Sequence, residues 1–186
     1  MKYIQDISIF THEVKQSKFI AHLMPYTLYQ EQLQILQKNH PKARHFVTAF
    51  RYINAYEQIV EHSSDDGEPK GTSGKPSLMV LQGQELINSA VVIVRYSGGT
   101  KLGTGGLVRS YSDAVNLVIE KSHLQEYVKE IEKEIVVSYS DMRLVEYTCK
   151  ELEIHIVHKT FEMEVLYTLR ATEERIQSLL SVLSFQ

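Results

Sequence analysis

Apolar and polar positions change their period several times along this chain. In "SKFIAHLMPY", Phe19, Ala21 and Leu23 alternate with other residues, the two-residue repeat of a strand with one covered face. "LYQEQLQILQKNH" then sets Leu28, Leu33, Ile35 and Leu36 broadly on one side of a helix. Thr27 stands as its N-cap with Gln30 as capping-box partner, and Pro41 stops it. "ARHFVTAFRYI" returns to strand spacing, with Phe46, Thr48, Phe50 and Tyr52 on one face and His45, Val47, Ala49 and Arg51 on the other. A partner strand is predicted around Gln58 to Glu61, across the "NAYE" turn.

A polar loop of 15 residues follows, "HSSDDGEPKGTSGKP", and loops of that length tend to be functional or disordered. "SLMVLQGQEL" predicts a helical turn or two, and "INSAVVIVRY" has the β-branched content of a strand covered on both faces. Leu107, Val108, Tyr111, Ala114, Val115, Val118 and Ile119 then mark a long amphipathic helix. The pattern changes near Gln125. Beyond it come strand "EKEIVVSYS", helix "DMRLVEYTCKELEI", strands "HIVHK" and "TFEMEVLYTLR", and helix "TEERIQSLLSVL", with Asp141 and Thr172 as expected N-caps. That β-α-β-β-α order is the ferredoxin-like pattern without its final strand, which would start where the sequence ends at Gln186. Two domains are therefore expected, 1–125 and 126–186.

Charge sharpens the division. Residues 1–125 carry 13 Lys and Arg against 11 Asp and Glu, a net of +2, whereas 126–186 carry 7 against 12, a net of −5. The whole chain sums to −3, which argues against a dedicated, strongly basic nucleic-acid protein. No apolar run is long enough to span a bilayer and the N-terminus has no secretory pattern, so a cytoplasmic location with no membrane contact is expected. The single cysteine, Cys149, excludes an intrachain disulfide and reads as a small apolar residue on a helix.

All nine glycines fall between Gly67 and Gly106, and five of them lie in "RYSGGTKLGTGGLVRSY" beside Arg95, Lys101 and Arg109. Strand, glycine-rich turn and helix is the context in which backbone N–H groups bind an anion. The spacing fits neither the P-loop nor the dinucleotide fingerprint, and leaves a phosphate cradle and a tight packing turn equally open. Asp65, Asp66 and Glu68 are oxygen donors of the kind Mg²⁺ takes, but without calcium-loop spacing they read first as a solvated acidic turn. Lys70 and Lys75 add cations to that loop. There is no G-x-S-x-G elbow and no H-E-x-x-H. Of the eight histidines, His45 in "KARHF" is the one placed to reach the loops from a strand. No catalytic residue, resident metal or cofactor is assigned.

Taken together, "EVKQSKFIAH", "KARHFVTAFR", "SDDGEPKGTSGKP" and "VVIVRYSGGTKLGTGGLVRSY" resemble, in order, the motifs of the YigZ/IMPACT family over residues 13 to about 120. The resemblance implies an α+β protein of two domains. The first is an α/β domain like that of a small-subunit ribosomal protein and of GHMP-type kinases; the second is ferredoxin-like and similar to the last domain of elongation factor G. It also implies a role in translation, through ribosomes, nucleic acid or protein partners. The matching positions are Asp65, Asp66, Gly67, Glu68, Pro69, Gly71, Gly74, Pro76, Arg95, Tyr96, Gly98, Gly99, Lys101, Leu102, Gly103, Gly105, Gly106, Leu107, Arg109 and Tyr111. Ser97 stands where the family usually has an aromatic, and Ser110 where it has Ala. Losing a ring from the loop removes a surface for base stacking worth about 1–3 kcal/mol per base.

The expectation is a non-catalytic protein that binds RNA or ribosomes. In it Lys70, Lys75, Arg95, Lys101 and Arg109 contact phosphates, the N–H groups of Gly98, Gly99, Gly103, Gly105 and Gly106 close the cradle, and Tyr96 or Tyr111 stacks on a base. His45, Asp65, Asp66 and Glu68 form a second polar loop site, and the acidic 126–186 region is a face for a protein partner. The alternative is a Mg-dependent enzyme or sensor acting on a small phosphorylated ligand or nucleotide, with Asp65, Asp66 or Glu68 on the metal and Lys101 on the phosphate.

Overall fold

A computed structural model describes residues 1–184, in two compact units that divide after Tyr127. The first runs β1 (Lys2–Ile4), β2 (Ser8–Val14), β3 (Ser17–Pro25), α1 (Tyr29–Asn39), β4 (His45–Ile53), β5 (Ile59–Ser64), α2 (Gly74–Gly83), β6 (Ser89–Tyr96), α3 (Gly103–Lys121) and β7 (Leu124–Glu126). Five strands form one antiparallel sheet in the order β2-β3-β6-β4-β5, and β1 pairs with β7 in a small ribbon.

The valine- and isoleucine-rich β6 takes the middle of the sheet, where a strand is covered on both faces and along both edges: every residue from Ser89 to Arg95 is buried. One face packs Phe19, Ala21, Leu23, Val47, Ala49, Val91 and Ile93 against Leu81 of α2 and Leu107, Tyr111, Ala114, Val115 and Val118 of α3. The other packs Met24, Ala90, Val92 and Val94 against Tyr29 and Leu36 of α1, with Phe46 and Phe50 partly covered. The alternation expected in β3 and β4 is thus the alternation between these two cores.

Several local expectations change. β2 alternates half-buried and exposed positions at the sheet edge, so its pattern is too polar to stand out, and β1 is only three residues long. Thr27 does not cap α1: Tyr26–Leu28 form a 3₁₀ turn, no side chain caps the helix, and Tyr29 and Leu36 are its buried residues while Ile35 is exposed. The polar loop is Asp65 to Ser73, shorter than its composition suggested, because β5 extends to Ser64 and α2 begins at Gly74. Val108 lies outside the buried stripe of α3.

The second unit runs β8 (Ile131–Val137), α4 (Met142–Glu151), β9 (His155–Phe161), β10 (Val165–Ala171) and α5 (Glu173–Ser184). Its antiparallel sheet has the order β8-β10-β9, with β10 inserted between the two strands that α4 connects, which is the ferredoxin-like arrangement. Val145 and Cys149 of α4 and Ile176 and Leu179 of α5 pack on Ile135, Val165, Tyr167 and Leu169. Burial pushes the Cys149 thiol up to about 11, with Glu146 nearby adding to the shift. Thr172 caps α5, its hydroxyl accepting the Arg175 N–H at 3.2 Å. Asp141 does not cap α4; its carboxylate accepts from the Ser138 hydroxyl at 2.9 Å. The position expected for a further strand lies outside the described residues. No helix among the described residues is long and apolar enough to cross a membrane.

Candidate functional site

Strand register brings the motifs together. His45 at the start of β4 pairs with Arg95 near the end of β6, and Phe19 near the start of β3 pairs with the same Arg95 from the other side. Thr48 pairs with Ser64, the last residue of β5, so the loop from Asp65 leaves from the same end of the sheet. Residues far apart in sequence thereby share one rim.

Behind that rim lies a buried polar network. Glu68, 8% exposed, accepts on one carboxylate oxygen from Arg95 Nη1 at 2.5 Å and from the Tyr111 hydroxyl at 2.8 Å. His45 donates from Nδ1 to the Asp66 carbonyl at 2.8 Å, which leaves Nε2 facing the second Glu68 oxygen at 3.9 Å. Burial raises the Tyr111 hydroxyl far above its ordinary value, and the Glu68 charge raises it further, so it stays a neutral donor. The Arg95 guanidinium lies over the Phe19 ring, 5.5 Å from its centroid, and its buried Nε has no hydrogen-bond partner.

The acidic loop is organised from within. Asp65 accepts the N–H groups of Gly71 and Gly74, each at 2.8 Å, and of Ser73 at 3.2 Å. Burial alone would raise its carboxyl, but those three donors prevail and hold it below the usual range. Asp66 accepts the Phe46 N–H at 2.7 Å. All three carboxylates singled out as Mg²⁺ donors are therefore committed, two to backbone amides and one to Arg95 and Tyr111. Among the described residues no three His, Cys, Asp or Glu side chains converge as metal ligands.

In front of the network opens a cleft of about 460 Å³ lined by Lys42, Arg44, His45, Arg95, Tyr96, Ser97 and Gly99. No carboxylate lines it. Lys42 and Arg44 are exposed and have no ion-pair partner among the described residues. Ser97 accepts the Gly99 N–H on its hydroxyl oxygen at 3.3 Å, leaving its own O–H to donate. Tyr96 is held through its hydroxyl to His40 Nδ1 at 2.7 Å.

The expected anion site is thus gathered in part. Arg95, Tyr96, Gly99 and His45 line the cleft, while Lys70, Lys75, Lys101 and Arg109 are exposed cations of the same unit outside its lining. Tyr111 is fully buried and cannot stack on a base. Arg95 is 9% exposed and already carries Glu68, so its role is shared between core and cleft. Gly98 is a packing turn: a Cβ there would sit 2.3 Å from the backbone carbon of Gln16, and its N–H goes to the Ser17 hydroxyl at 3.0 Å. Gly103, Gly105 and Gly106 form the first turn of α3, away from the cleft lining. Lys42 and Arg44 escaped the sequence reading, although they stand in the same "PKARHF" stretch as His45.

A larger cavity of about 680 Å³ lies at the other end of β3 and β4, lined by Tyr3, Tyr26, Tyr52, Asn88 and six other uncharged residues. Tyr26 and Tyr52 stack in it with centroids 4.1 Å apart.

Comparison with known proteins places this geometry in context. Residues 15–119 match the family model described as the Impact N-terminal domain. A protein of Haemophilus influenzae described as an IMPACT family member is 32% identical over 179 residues, covering 95% of this chain and 87% of that protein. The IMPACT family member YigZ of Escherichia coli is 32% identical over 157 residues, covering 83% of this chain and 77% of that one. A solved structure described only as that of a hypothetical protein superposes with a TM-score of 0.66 at 27% identity, covering 98% of this chain and 90% of the other.

Proposed function

The chain belongs to the IMPACT family, and on that premise we propose that it is a non-catalytic, cytoplasmic RNA- or ribosome-binding protein that modulates translation. One observation carries the reading: the cleft lined by Lys42, Arg44, His45 and Arg95 without a carboxylate. Lys70, Lys75, Lys101 and Arg109 extend positive charge over the exposed surface of the same unit. Contacts of this kind hold phosphates and position a nucleic acid without reading its sequence. The acidic 126–186 region, net −5, is assigned to a protein partner.

The competing reading, a Mg-dependent enzyme on a phosphorylated ligand, keeps the cleft but not the metal, because Asp65, Asp66 and Glu68 are engaged elsewhere. A nucleotide with Mg²⁺ would then have to raise the melting temperature by mass action.

Binding of the full chain to ribosomes and to a generic single-stranded RNA across a salt series tests the reading. Six contacts from Lys42, Arg44, Lys70, Lys75, Lys101 and Arg109 predict a slope of log K against log salt of about −4, and Lys101→Glu with Arg109→Glu should remove about a third of it. Absence of binding to either at low salt would overturn the proposal.

A further inference from the structure

The cleft differs in three ways from a surface that tracks a nucleic-acid strand. Its cations converge on one cavity instead of repeating along a groove. Its volume, about 460 Å³, is that of a small-molecule site, for which ~300–1,000 Å³ is usual. It also presents a single tyrosine and no row of aromatics: Tyr96 is fixed through its hydroxyl to His40 and meets that ring at 5.7 Å, and Ser97 adds no second ring. Single-strand binders combine a basic groove with stacking platforms.

Charge sets the kind of anion. Lys42, Arg44 and Arg95 line the cavity, and Glu68 stands behind Arg95, so two positive charges remain before His45 is considered. A phosphodiester brings one negative charge. A phosphate monoester brings about −1.5 to −2 at neutral pH, together with three acceptor oxygens. Donors are present for all three: the Arg44 fork, the Lys42 ammonium and the free O–H of Ser97. Arg95 adds the polarity of a guanidinium of which only Nη1 is engaged by Glu68 and whose Nε is buried without a partner. An arginine held this way is oriented before any ligand arrives, and a pre-oriented group loses less entropy on binding.

Resting on the phosphate-binding reading above, we infer that this cleft is a site for a phosphate monoester, the terminal phosphate of a nucleotide or of an RNA end, and not for an internal phosphodiester. The remaining exposed cations then hold whatever chain follows that phosphate, and the cleft itself selects the end.

The test uses the full chain and one short single-stranded RNA in three forms: 5′-phosphorylated, 3′-phosphorylated and with hydroxyls at both ends. Adenosine 5′-monophosphate and inorganic phosphate are titrated beside them. At least tenfold tighter binding of one end-phosphorylated form over the hydroxyl form is expected. Lys42→Ala with Arg44→Ala should abolish that preference; both positions are exposed, and an unchanged circular dichroism melt confirms the fold. Two results separate the sources of the ligand, and either supports the inference. The monophosphate binding as tightly as the phosphorylated RNA identifies a free nucleotide, whereas a large advantage of the RNA identifies an RNA end. Equal binding of all three RNAs overturns the monoester site and leaves the RNA reading standing. No binding of any RNA, monophosphate or phosphate overturns both.

Discussion

Removing Glu68 is the most informative perturbation of this fold. Its carboxylate, 8% exposed, receives the Arg95 guanidinium and the Tyr111 hydroxyl on a single oxygen. Glu68→Ala leaves a guanidinium 9% exposed with no counter-charge, and a fully buried tyrosine hydroxyl without its carboxylate acceptor. Removing one partner from a buried ion pair costs about 3–5 kcal/mol, mostly because the other charge stays behind. For a chain of 186 residues, with about 2–4 °C of melting temperature per kcal/mol, a loss of about 4 kcal/mol is a drop of about 8–16 °C. The assay is thermal unfolding followed by circular dichroism on Glu68→Ala, Arg95→Met and the double variant. The double variant should be more stable than Glu68→Ala alone by about 2 kcal/mol or more, since it no longer buries an unpaired charge while Met refills the space over Phe19. Refutation takes either of two forms: Glu68→Ala melting within about 2 °C of wild type, or a double variant no better than Glu68→Ala. Each would mean that water reaches the pair and that the loop is not anchored through it.

Asp65→Asn should cost about 2 kcal/mol at neutral pH, because three backbone donors lose a charged acceptor. The folded-state pKa of Asp65 is depressed, so its contribution is full above the unfolded value of about 4 and disappears as pH falls through the folded value. The stability gap between wild type and Asp65→Asn, measured by urea unfolding, should therefore narrow below about pH 4; a constant gap would contradict the assigned hydrogen bonds. Two glycines of the same motif should respond in opposite directions in the same assay. Gly98→Ala drives a Cβ into the Lys15–Ser17 backbone and should lose more than about 2 kcal/mol, whereas Gly105→Ala meets nothing within 4 Å and should gain about 0.5–1 kcal/mol as a helix former.

What the sequence made legible follows from where periodicity survives. The two faces of β4, the double-sided burial of β6 and the stripe on α3 were readable because each buries a continuous apolar row. β2 was not, since an edge strand carrying Thr11, His12 and Glu13 leaves little alternation to detect. Glu68 was misread for a related reason. In "DDGEPKG" an acid looks solvated, and only the fold sets Arg95, 27 residues on, and Tyr111, 43 residues on, against it. The cleft was half legible: Arg95, Tyr96 and His45 stood out by motif. Lys42 and Arg44 became visible only through the register that sets His45 beside Arg95, and register between strands 50 residues apart is not written in local composition.

The sheet order also has a consequence for how the chain is born. In β2-β3-β6-β4-β5 the middle strand is the last of the five to be synthesised. Until Tyr96 has left the ribosome, the β2–β3 and β4–β5 hairpins exist as separate halves, each with the edge that β6 will fill still open and apolar faces exposed to water. At about 5–20 residues per second, β6 follows the end of β5 by only a few seconds, and its arrival zips both edges at once. A pause in translation between Ser64 and Ser89 would therefore hold the nascent chain in its most aggregation-prone state.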